Sequence, residues 1–587
     1  MSAPVRQLTL RAGVTGAVLG TLLVPCNVYS GLKIGWSFNM SIAAALLSYG
    51  FWGAVRGAPG GGRVPVWGML ENNANQTCAS SAASIISAGL VAPIPALTIL
   101  SGTTLAWPAL SAWLFSVSLL GVVVAVALRR QMLVVEGLPF PSGVATAETV
   151  REIYAQGREA ALRVRYLLAG GAVAAGAKVL DVMVGIAKLG PALSVGSFGA
   201  TSLNLRNLGF VFDPSFLMIG FGAIVGLRVG VSLLLGAVLA WGVLAPWLFA
   251  SGRVAAADPE VLVFGAAIEW LLWPGVALMV CAALTGFVGS LPGIVRGMCG
   301  RRAGDDEPEA GGEGVPRAWL FGGFVVAATI AVVAQVGFFG IHPAMAVLAV
   351  LLTFVLAVVA ARVSGETGIP PIGALGKITQ LTFGLIHPTS VSTNLMTANV
   401  TGGAAGQCSD LLHDLKAGRL LGASVRAQSL AQVLGVAVGS LAGSAAYLVL
   451  VPDPAGMLLT EEWPAPAVAT WMAVAELFRA GVEAVPQGAW QASVVAAVVG
   501  IALALVGPRV PARRRFWVPS PVSMGLAFVL PAFNSISLFL GAALAAVVGK
   551  VAPDWARRFV LPVAAGLVAG ESLAGVGAAL WEFLTEV

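Results

Sequence analysis

Long uncharged stretches alternate with short polar segments along most of the chain. The residues from Asn72 to Leu128, for example, include no charged side chain. A helix needs about 20 apolar residues to cross the roughly 30 Å of bilayer hydrocarbon, whereas spanning strands show short apolar–polar alternation. The pattern therefore predicts an all-α, polytopic integral membrane protein that lies in the lipid bilayer.

Five polar segments interrupt this pattern. They combine Gly, Pro or amide side chains with charged residues, between stretches that are apolar enough to span a membrane. Irregular backbone and charged side chains are tolerated at membrane depth only where protein or a water-filled cavity surrounds them. We therefore expect broken or re-entrant helices with functional side chains at residues 27–39, 71–81, 136–148, 364–377 and 394–428. For residues 27–39 the alternative is a simple turn between two helices.

Composition and charge agree with a membrane protein. Of 587 residues, 58% are hydrophobic and only 10% are charged, whereas soluble proteins carry about a quarter charged residues. The net charge of +6 comes from Lys and Arg in short segments between the apolar stretches, as in cytoplasmic loops. We interpret these basic residues as topology signals and expect no nucleic-acid partner. The basic first eleven residues predict a cytoplasmic N-terminus and an uncleaved first span, in a cell membrane such as the bacterial inner membrane.

A charged, Gly-rich linker at residues 296–317 divides the chain into halves, residues 1–295 and 318–587. Ser30 precedes Ser364 by 334 positions (364 − 30), and Gln76 precedes Gln407 by 331 (407 − 76). These similar offsets predict two related transmembrane halves. Secondary transporters built from such repeats bind their substrate at the interface between them.

Amide and ammonium side chains in the polar segments are candidates for substrate binding. Asn and Gln side chains hydrogen-bond peptide-like groups, and Lys33 or Lys377 would hold a carboxylate. Helix starts, expected near residues 72–77 and 402–407, would add positive dipole ends for an anionic group. The candidate substrate path comprises Asn27, Lys33, Asn72, Asn73, Gln76, Asn399 and Gln407. The alternative for each is an internal hydrogen bond that holds a helix break together.

Carboxylates beside the polar segments are candidates for proton coupling. A proton-driven symporter needs a group whose pKa moves as the site opens to either side, and burial raises a carboxylate toward physiological pH. We predict Glu366 and Asp410 as the first proton sites, followed by Glu71 and Glu148.

The competing function is that of an integral membrane enzyme. Asp410, His413 and Asp414 occupy positions i, i+3 and i+4 of one helical face, which is an arrangement for a divalent metal as in aspartate-rich prenyl transferases. The second acidic motif that a diphosphate site requires is missing from the other half. The five cysteines have no CxxC spacing for a zinc site. We therefore favour a transporter without metal or other cofactor.

Four segments together resemble the oligopeptide transporter (OPT) family, especially its prokaryotic members and their yellow stripe-like relatives. They are GLPFPSGVATAE, ENNANQTCASS, ETGIPPIGALGKITQ and QCSDLLHDLKAGRLLGASVRAQ. The resemblance implies about sixteen transmembrane helices and proton-coupled import of small peptides or peptide-like metal chelates. Val425 stands where the family has a proline, and the NPG signature of peptide selectivity is missing. The choice between peptide and chelate, and the oligomeric state, stay open.

Overall fold

The structure is a computed structural model. It describes residues 7–35, 40–155, 157–185, 188–191, 193–198, 201–254, 262–299, 315–368, 372–511 and 514–586. Within these ranges the chain is helical except for connecting segments and one antiparallel hairpin, formed by β1 (Ser194–Phe198) and β2 (Thr201–Asn204). The prediction of an all-α membrane protein is thereby confirmed.

The helices before the linker are α1 (Leu10–Ile34), α2 (Ser41–Gly57), α3 (Met69–Ala83), α4 (Pro93–Ser101), α5 (Trp107–Arg129), α6 (Pro141–Ala155), α7 (Gly157–Val184), α8 (Phe216–Val225), α9 (Leu227–Ala237), α10 (Ala245–Ala250) and α11 (Phe264–Cys299). Short 3-10 turns cover Gly61–Arg63 and Ser84–Ala88, and π-helical turns cover Arg130–Val135 and Val238–Leu244.

The helices after the linker are α12 (Arg317–Phe339), α13 (Pro343–Thr367), α14 (Ile372–Ile386), α15 (Val391–Leu421), α16 (Val425–Leu450), α17 (Pro454–Met457), α18 (Pro466–Ala480), α19 (Ala489–Arg509), α20 (Pro521–Leu526), α21 (Ala532–Val551) and α22 (Pro553–Glu586). Residues 300–314 of the predicted linker lie outside the described residues. Its first four residues continue α11 as helix.

Twelve helices in the described part of the chain are long and apolar enough to cross a membrane. Two further apolar helices, α8 with 10 residues and α14 with 15, are too short to cross the hydrocarbon alone. Helix α15 has 31 residues and is long enough to cross the membrane. Its many polar side chains make it less apolar than the twelve helices counted above. The total of about sixteen spans therefore stays a prediction.

Helix α15 lies at the centre of the molecule, and nearly all of its residues are buried. It contacts α3, α4, α5 and α6 from the first half, and α13, α14, α16 and α18 from the second. Small residues permit this close packing. A Cβ atom on Gly121 of α5 would lie 2.4 Å from the Ala404 carbonyl oxygen, and one on Gly403 would lie 2.8 Å from the Ser87 carbonyl oxygen.

The expectation of irregular backbone across residues 394–428 is wrong over most of its length. The chain is one continuous helix from Val391 to Leu421, and Gly422, with φ of 79°, ends it. Residues 402–407 therefore lie inside a helix and offer no helix start. The helix stays regular because neighbouring helices supply partners for its polar side chains. Likewise, Asn27 and Lys33 lie inside α1, which continues to Ile34.

The expected break at residues 71–81 is also wrong, because all of them lie inside α3. The helix changes only after them, into the 3-10 turn Ser84–Ala88, which we call the α3 break. The break expected at residues 364–377 is confirmed. Helix α13 ends at Thr367 and α14 begins at Ile372, and Pro370 and Pro371 lie outside the described residues. Gly226, with φ of 87°, separates α8 from α9. The breaks at Gly226 and at Pro370 and Pro371 fall where Gly or Pro disfavours a regular helix.

Basic side chains collect at one end of the bundle, which we call the basic face. Lys416 Nζ donates to the Leu138 carbonyl oxygen at 2.8 Å, and Arg419 donates to the Leu133 carbonyl oxygen. Gln7 Oε1, just before α1, accepts from the Ser424 amide at 2.6 Å. Helix α1 runs from this face toward the opposite end, where the Ala465 amide donates to the Leu32 carbonyl oxygen and Lys188, shortly before β1, pairs with Glu461 at 3.5 Å. We call this end the hairpin face.

Candidate functional site

Predicted amides of α3 meet in one cluster near the middle of the bundle. Gln76 Nε2 donates to Asn73 Oδ1 at 3.2 Å and to Thr77 Oγ1 at 3.1 Å. Asn73 Nδ2 and Gln76 Oε1 are buried and have no hydrogen-bond partner among the described residues. An unpaired buried polar atom costs about 1–3 kcal/mol. Both atoms therefore retain bonding capacity for a ligand.

Gln407 brings a third predicted amide to this cluster from α15. Its Nε2 donates to Ser81 Oγ at 3.3 Å, and Ser81 Oγ donates to the Gln432 carbonyl oxygen of α16 at 2.8 Å. Gln407 Oε1 has no partner in the described part of the chain. Three of the predicted substrate-path residues, Asn73, Gln76 and Gln407, thus lie on the adjoining helices α3 and α15 with unfilled hydrogen-bonding atoms.

Two acidic side chains of α15 lie one helical turn apart beside the same cluster. Asp414 is 2% exposed, and its Oδ1 accepts from Ser41 Oγ at 3.3 Å. Its carboxyl group also interacts with the Gln76 side chain, yet Oδ2 has no donor among the described residues. Asp410 is partly buried and interacts with Ser84, the first residue of the α3 break. We name Asn73, Gln76, Gln407, Asp410 and Asp414 the polar core.

Asn27, Asn72 and Asn399 are engaged in bonds between helices. Asn27 Nδ2 donates to the Ala83 carbonyl oxygen at the end of α3 at 3.0 Å. Asn399 Oδ1 accepts from Trp113 Nε1 of α5 at 2.9 Å. Asn72 binds α2 through both side-chain atoms, at 3.1 Å to the Ala45 carbonyl oxygen and at 2.8 Å from Ser48 Oγ. All three tie α3 or α15 to a neighbouring helix.

Three of the four predicted proton sites lie away from the polar core. Glu366, in the last turn of α13, and Glu148, on the outer side of α6, are exposed. Glu71 accepts from Arg11 at 2.9 and 2.5 Å and from the Gly68 amide at 3.1 Å. The expected burial is wrong for Glu366 and Glu148 because both point off the core-facing side of their helices.

The residues of the metal-site alternative face different neighbours. His413 Nε2 shares a hydrogen bond of 2.9 Å with Ser364 Oγ of α13, and its ring packs edge-on against Phe140 at 5.2 Å. Asp414 instead faces Ser41 of α2. Among the described residues, no group of three His, Cys, Asp or Glu side chains is arranged to hold a metal. The three side chains that the competing enzyme hypothesis would bring to one metal thus face different neighbours.

A second buried polar cluster surrounds Lys377 on α14. Its Nζ donates to Gln380 Oε1 at 2.8 Å and to the Thr470 carbonyl oxygen at 3.2 Å, and lies 4.5 Å from the centroid of the Trp471 ring. Gln380 Nε2 donates to Asn394 Oδ1 at 2.9 Å. Lys377 is 2% exposed and makes no ion pair in the described chain. A buried ammonium without a counter-ion is costly.

Lys33 lies in the last turn of α1 toward the hairpin face. Its Nζ is 5.4 Å from the centroid of the Tyr29 ring and 5.0 Å from that of Trp463. Such aromatic contacts attract an ammonium without neutralising its charge. The Ala465 amide, at the entrance to α18, donates to the Leu32 carbonyl oxygen at 3.0 Å. Lys33 and Lys377 therefore both contact a tryptophan of the segment that leads into or forms α18.

The sequence reasoning missed several of these partners. Ser41 and Ser81 meet the polar core, and Gln380, Asn394 and Trp471 surround Lys377. Three of them carried a signal, since Ser81 and Asn394 lie inside the polar segments 71–81 and 394–428, and Gln380 is an amide just after 364–377. Ser41 and Trp471 carried none, because Ser and Trp are ordinary residues in packed membrane helices.

Comparison with known proteins decides the family. A family model described as OPT oligopeptide transporter protein matches residues 7–581, which is nearly the whole chain. The chain belongs to the oligopeptide transporter (OPT) family. The resemblance drawn from the four sequence segments is thereby confirmed at the level of the family, while prokaryotic membership stays a prediction.

Relatives of this OPT protein carry two kinds of name. "Putative oligopeptide transporter YGL114W" of Saccharomyces cerevisiae is 26% identical, over 97% of this chain and 95% of its own length. "Probable metal-nicotianamine transporter YSL8" of Arabidopsis thaliana is 25% identical, over 97% and 85%. YSL14 of Oryza sativa subsp. japonica, with the same description, is 25% identical, over 97% and 84%. This OPT protein is a membrane transporter, and the enzyme alternative is rejected.

Proposed function

We propose that this OPT protein is a secondary active importer that couples entry of a small peptide, or of a peptide-like metal chelate, to the inward movement of protons. The observation that carries the proposal is the polar core. It combines two acidic side chains with amides that have unfilled hydrogen-bonding atoms, on helices from both sides of the linker. Intramembrane acidic residues of this kind commonly mark proton relays and substrate paths.

Asp414 and Asp410 carry the coupling proton in this proposal. The free atoms Asp414 Oδ2 and Gln76 Oε1 are both acceptors, so a proton bound to the carboxyl group supplies a donor that the pair otherwise lacks. Loss of that proton leaves a buried charge, which is costly unless the surroundings change. Protonation of Asp414 and Asp410 is thereby linked to the conformation of the α3 break and α2, which contact them.

The amides of the polar core bind the substrate in this proposal. Asn73 Nδ2 is a donor and Gln407 Oε1 is an acceptor, which together match the two hydrogen-bonding groups of a peptide unit. The ammonium of Lys377 is assigned to a substrate carboxylate, because it has no ion-pair partner in the described chain. The names of the relatives include both a peptide and a metal-nicotianamine class, and these groups suit either.

The proposed location is a cell membrane such as the bacterial inner membrane, with the N-terminus in the cytoplasm. Support comes from the basic face, where Lys416 and Arg419 lie together with the start of α1. Cytoplasmic loops of membrane proteins are enriched in Lys and Arg.

Uptake by liposomes containing the purified protein tests the proposed function. A labelled tripeptide and a labelled metal–nicotianamine complex are offered separately, with the outside more acidic than the lumen. We expect at least one of them to accumulate above its external concentration, and a protonophore to abolish the accumulation. Accumulation that survives the protonophore would contradict proton coupling. Failure of both compounds to enter would contradict the proposed substrate classes.

A further inference from the structure

A cavity of about 650 Å³, which we call the side cavity, is lined by residues of α10, α11 and α19 and by none of the polar core. Its lining includes Trp247 of α10, Trp270 of α11 and Val495 of α19. The Val263 amide, directly before α11, donates to the Asn207 carbonyl oxygen behind the hairpin at 2.9 Å. The cavity thus lies where α10 ends and where α11 and α19 begin.

The walls of this side cavity are apolar and turned outward. Val243, Trp247 and Val495 are 53%, 43% and 64% exposed. The Trp247 and Trp270 rings meet edge to face at 5.7 Å, and Trp270 Nε1 is held by the Gln487 carbonyl oxygen at 3.2 Å. Only 11% of the most apolar stretch of α19 is buried inside the protein. A groove in such a surface borders the acyl chains of the bilayer.

Arg253 supplies the one charged group in the described lining of the side cavity. Its guanidinium lies 4.5 Å from the centroid of the Trp247 ring and against Gly488 at the start of α19. This guanidinium makes no hydrogen bond or ion pair with another described residue, and the residue is exposed. Tryptophans and arginines at helix ends mark the headgroup level of a membrane. Guanidinium groups bind phosphate through paired hydrogen bonds.

We propose that the side cavity binds one anionic phospholipid of the bilayer. An acyl chain lies against Trp247, Trp270 and Val495, and the phosphate binds Arg253. The described lining has no acidic side chain, so the net charge of the site favours a lipid with a net negative headgroup over a zwitterionic one. The lipid bridges α10, α11 and α19, which otherwise leave a groove between them. This binding does not depend on the transported substrate or on proton coupling.

Native mass spectrometry of the purified full chain in detergent tests this proposal, with phosphatidylglycerol and phosphatidylcholine added separately. We expect the wild-type protein to retain one phosphatidylglycerol and to bind it more tightly than phosphatidylcholine. Arg253→Gln should weaken phosphatidylglycerol binding about tenfold, which corresponds to about 1.4 kcal/mol. It should leave phosphatidylcholine binding nearly unchanged, since the Gln variant keeps the apolar groove.

Two further variants separate the groove from the charge. Ala492→Phe fills the apolar groove and should displace both lipids. Arg479→Gln is the control, because Arg479 is an exposed arginine on α18 that is paired with Glu476 at 2.6 Å, outside the cavity. It should bind phosphatidylglycerol as the wild type does. Equal phosphatidylglycerol binding by the wild type, Arg253→Gln and Ala492→Phe would overturn the proposal. The proposal would also be overturned if a second copy of the chain covered the side cavity and excluded lipid from it.

Discussion

At the residue scale, the polar core is defined by what its side chains leave unpaired. Asp414 Oδ2, Gln76 Oε1 and Gln407 Oε1 are buried acceptors without a donor in the described chain. By contrast, Asn72 has both side-chain atoms bound to α2. The amides of α3 thus differ in role. Asn72 ties α3 to α2, whereas Gln76 keeps bonding capacity for a substrate or a proton.

Replacement of the two core carboxylates tests their role. Asp414→Asn and Asp410→Asn keep the size of the side chain but cannot bind or release a proton. We expect each variant to lose proton-driven accumulation in liposomes, while exchange of labelled for unlabelled substrate continues, since exchange needs no net proton movement. The measurement is the ratio of accumulation to exchange.

Glu366→Gln and Glu148→Gln are the matched controls for this prediction. Both side chains are exposed and lie away from the polar core, so we expect both variants to accumulate substrate as the wild type does. If Glu366→Gln abolished accumulation while Asp414→Asn and Asp410→Asn preserved it, our assignment of the proton sites would be wrong.

The sequence indicated the residue types of the site better than their partners. Amides and carboxylates in apolar surroundings stand out along the chain, and Gln76, Gln407 and Asp410 were found in this way. The exposure of Glu366 could not be predicted, because the direction of a side chain depends on the rotation of its helix within the bundle. Asp414 is not among the predicted proton sites, because the sequence does not show that its partner Ser41, 373 positions away, lies beside it.

At the scale of elements, α15 is a polar helix that stays regular because it is surrounded by other helices. Its glycines permit close approach, and its polar side chains find partners on α3, α5, α13 and α14. The sequence predicted the break between α13 and α14, at Pro370 and Pro371. It could not predict that Gly402, Gly403 and Gly406 pack inside a helix, because a glycine that serves packing resembles one that serves a turn.

The crossing of α5 and α15 can be tested with one methyl group. In Gly121→Ala the new Cβ would lie 2.4 Å from the Ala404 carbonyl oxygen and 2.9 Å from Gln407 Cβ, so the two helices must move apart. We expect a loss of about 1–3 kcal/mol, typical of overpacking, measured as a lower melting temperature in detergent, together with weaker uptake.

Gly176→Ala on α7 is the control for this crossing. No atom beyond its own turn of helix lies within 4 Å of the position of its new Cβ, and alanine favours a helix over glycine by about 1 kcal/mol. Its melting temperature should equal or exceed that of the wild type. A Gly121→Ala variant that is as stable and active as Gly176→Ala would show that the close α5–α15 contact is not needed.

At the scale of the whole molecule, helices from the two sides of the linker pack between one another. Helix α16 contacts α1 and α3, α15 contacts α5, and α22 contacts α7. Hydropathy predicted the fold class because a bilayer admits few kinds of structure. It could not fix the number of spans, since α15 is polar and α8 and α14 are short. The relation between the halves stays a prediction.

Substrate-driven proton entry is the most direct test of the central claim, that substrate and proton move together through the polar core. Liposomes containing the protein and an internal pH-sensitive dye receive a transported peptide or chelate from outside, with no initial pH difference and a clamped membrane potential. The account predicts that the lumen acidifies on addition of substrate, and that Asp414→Asn liposomes take up substrate without acidification. Substrate entry that leaves the lumen pH unchanged in the wild type would contradict it.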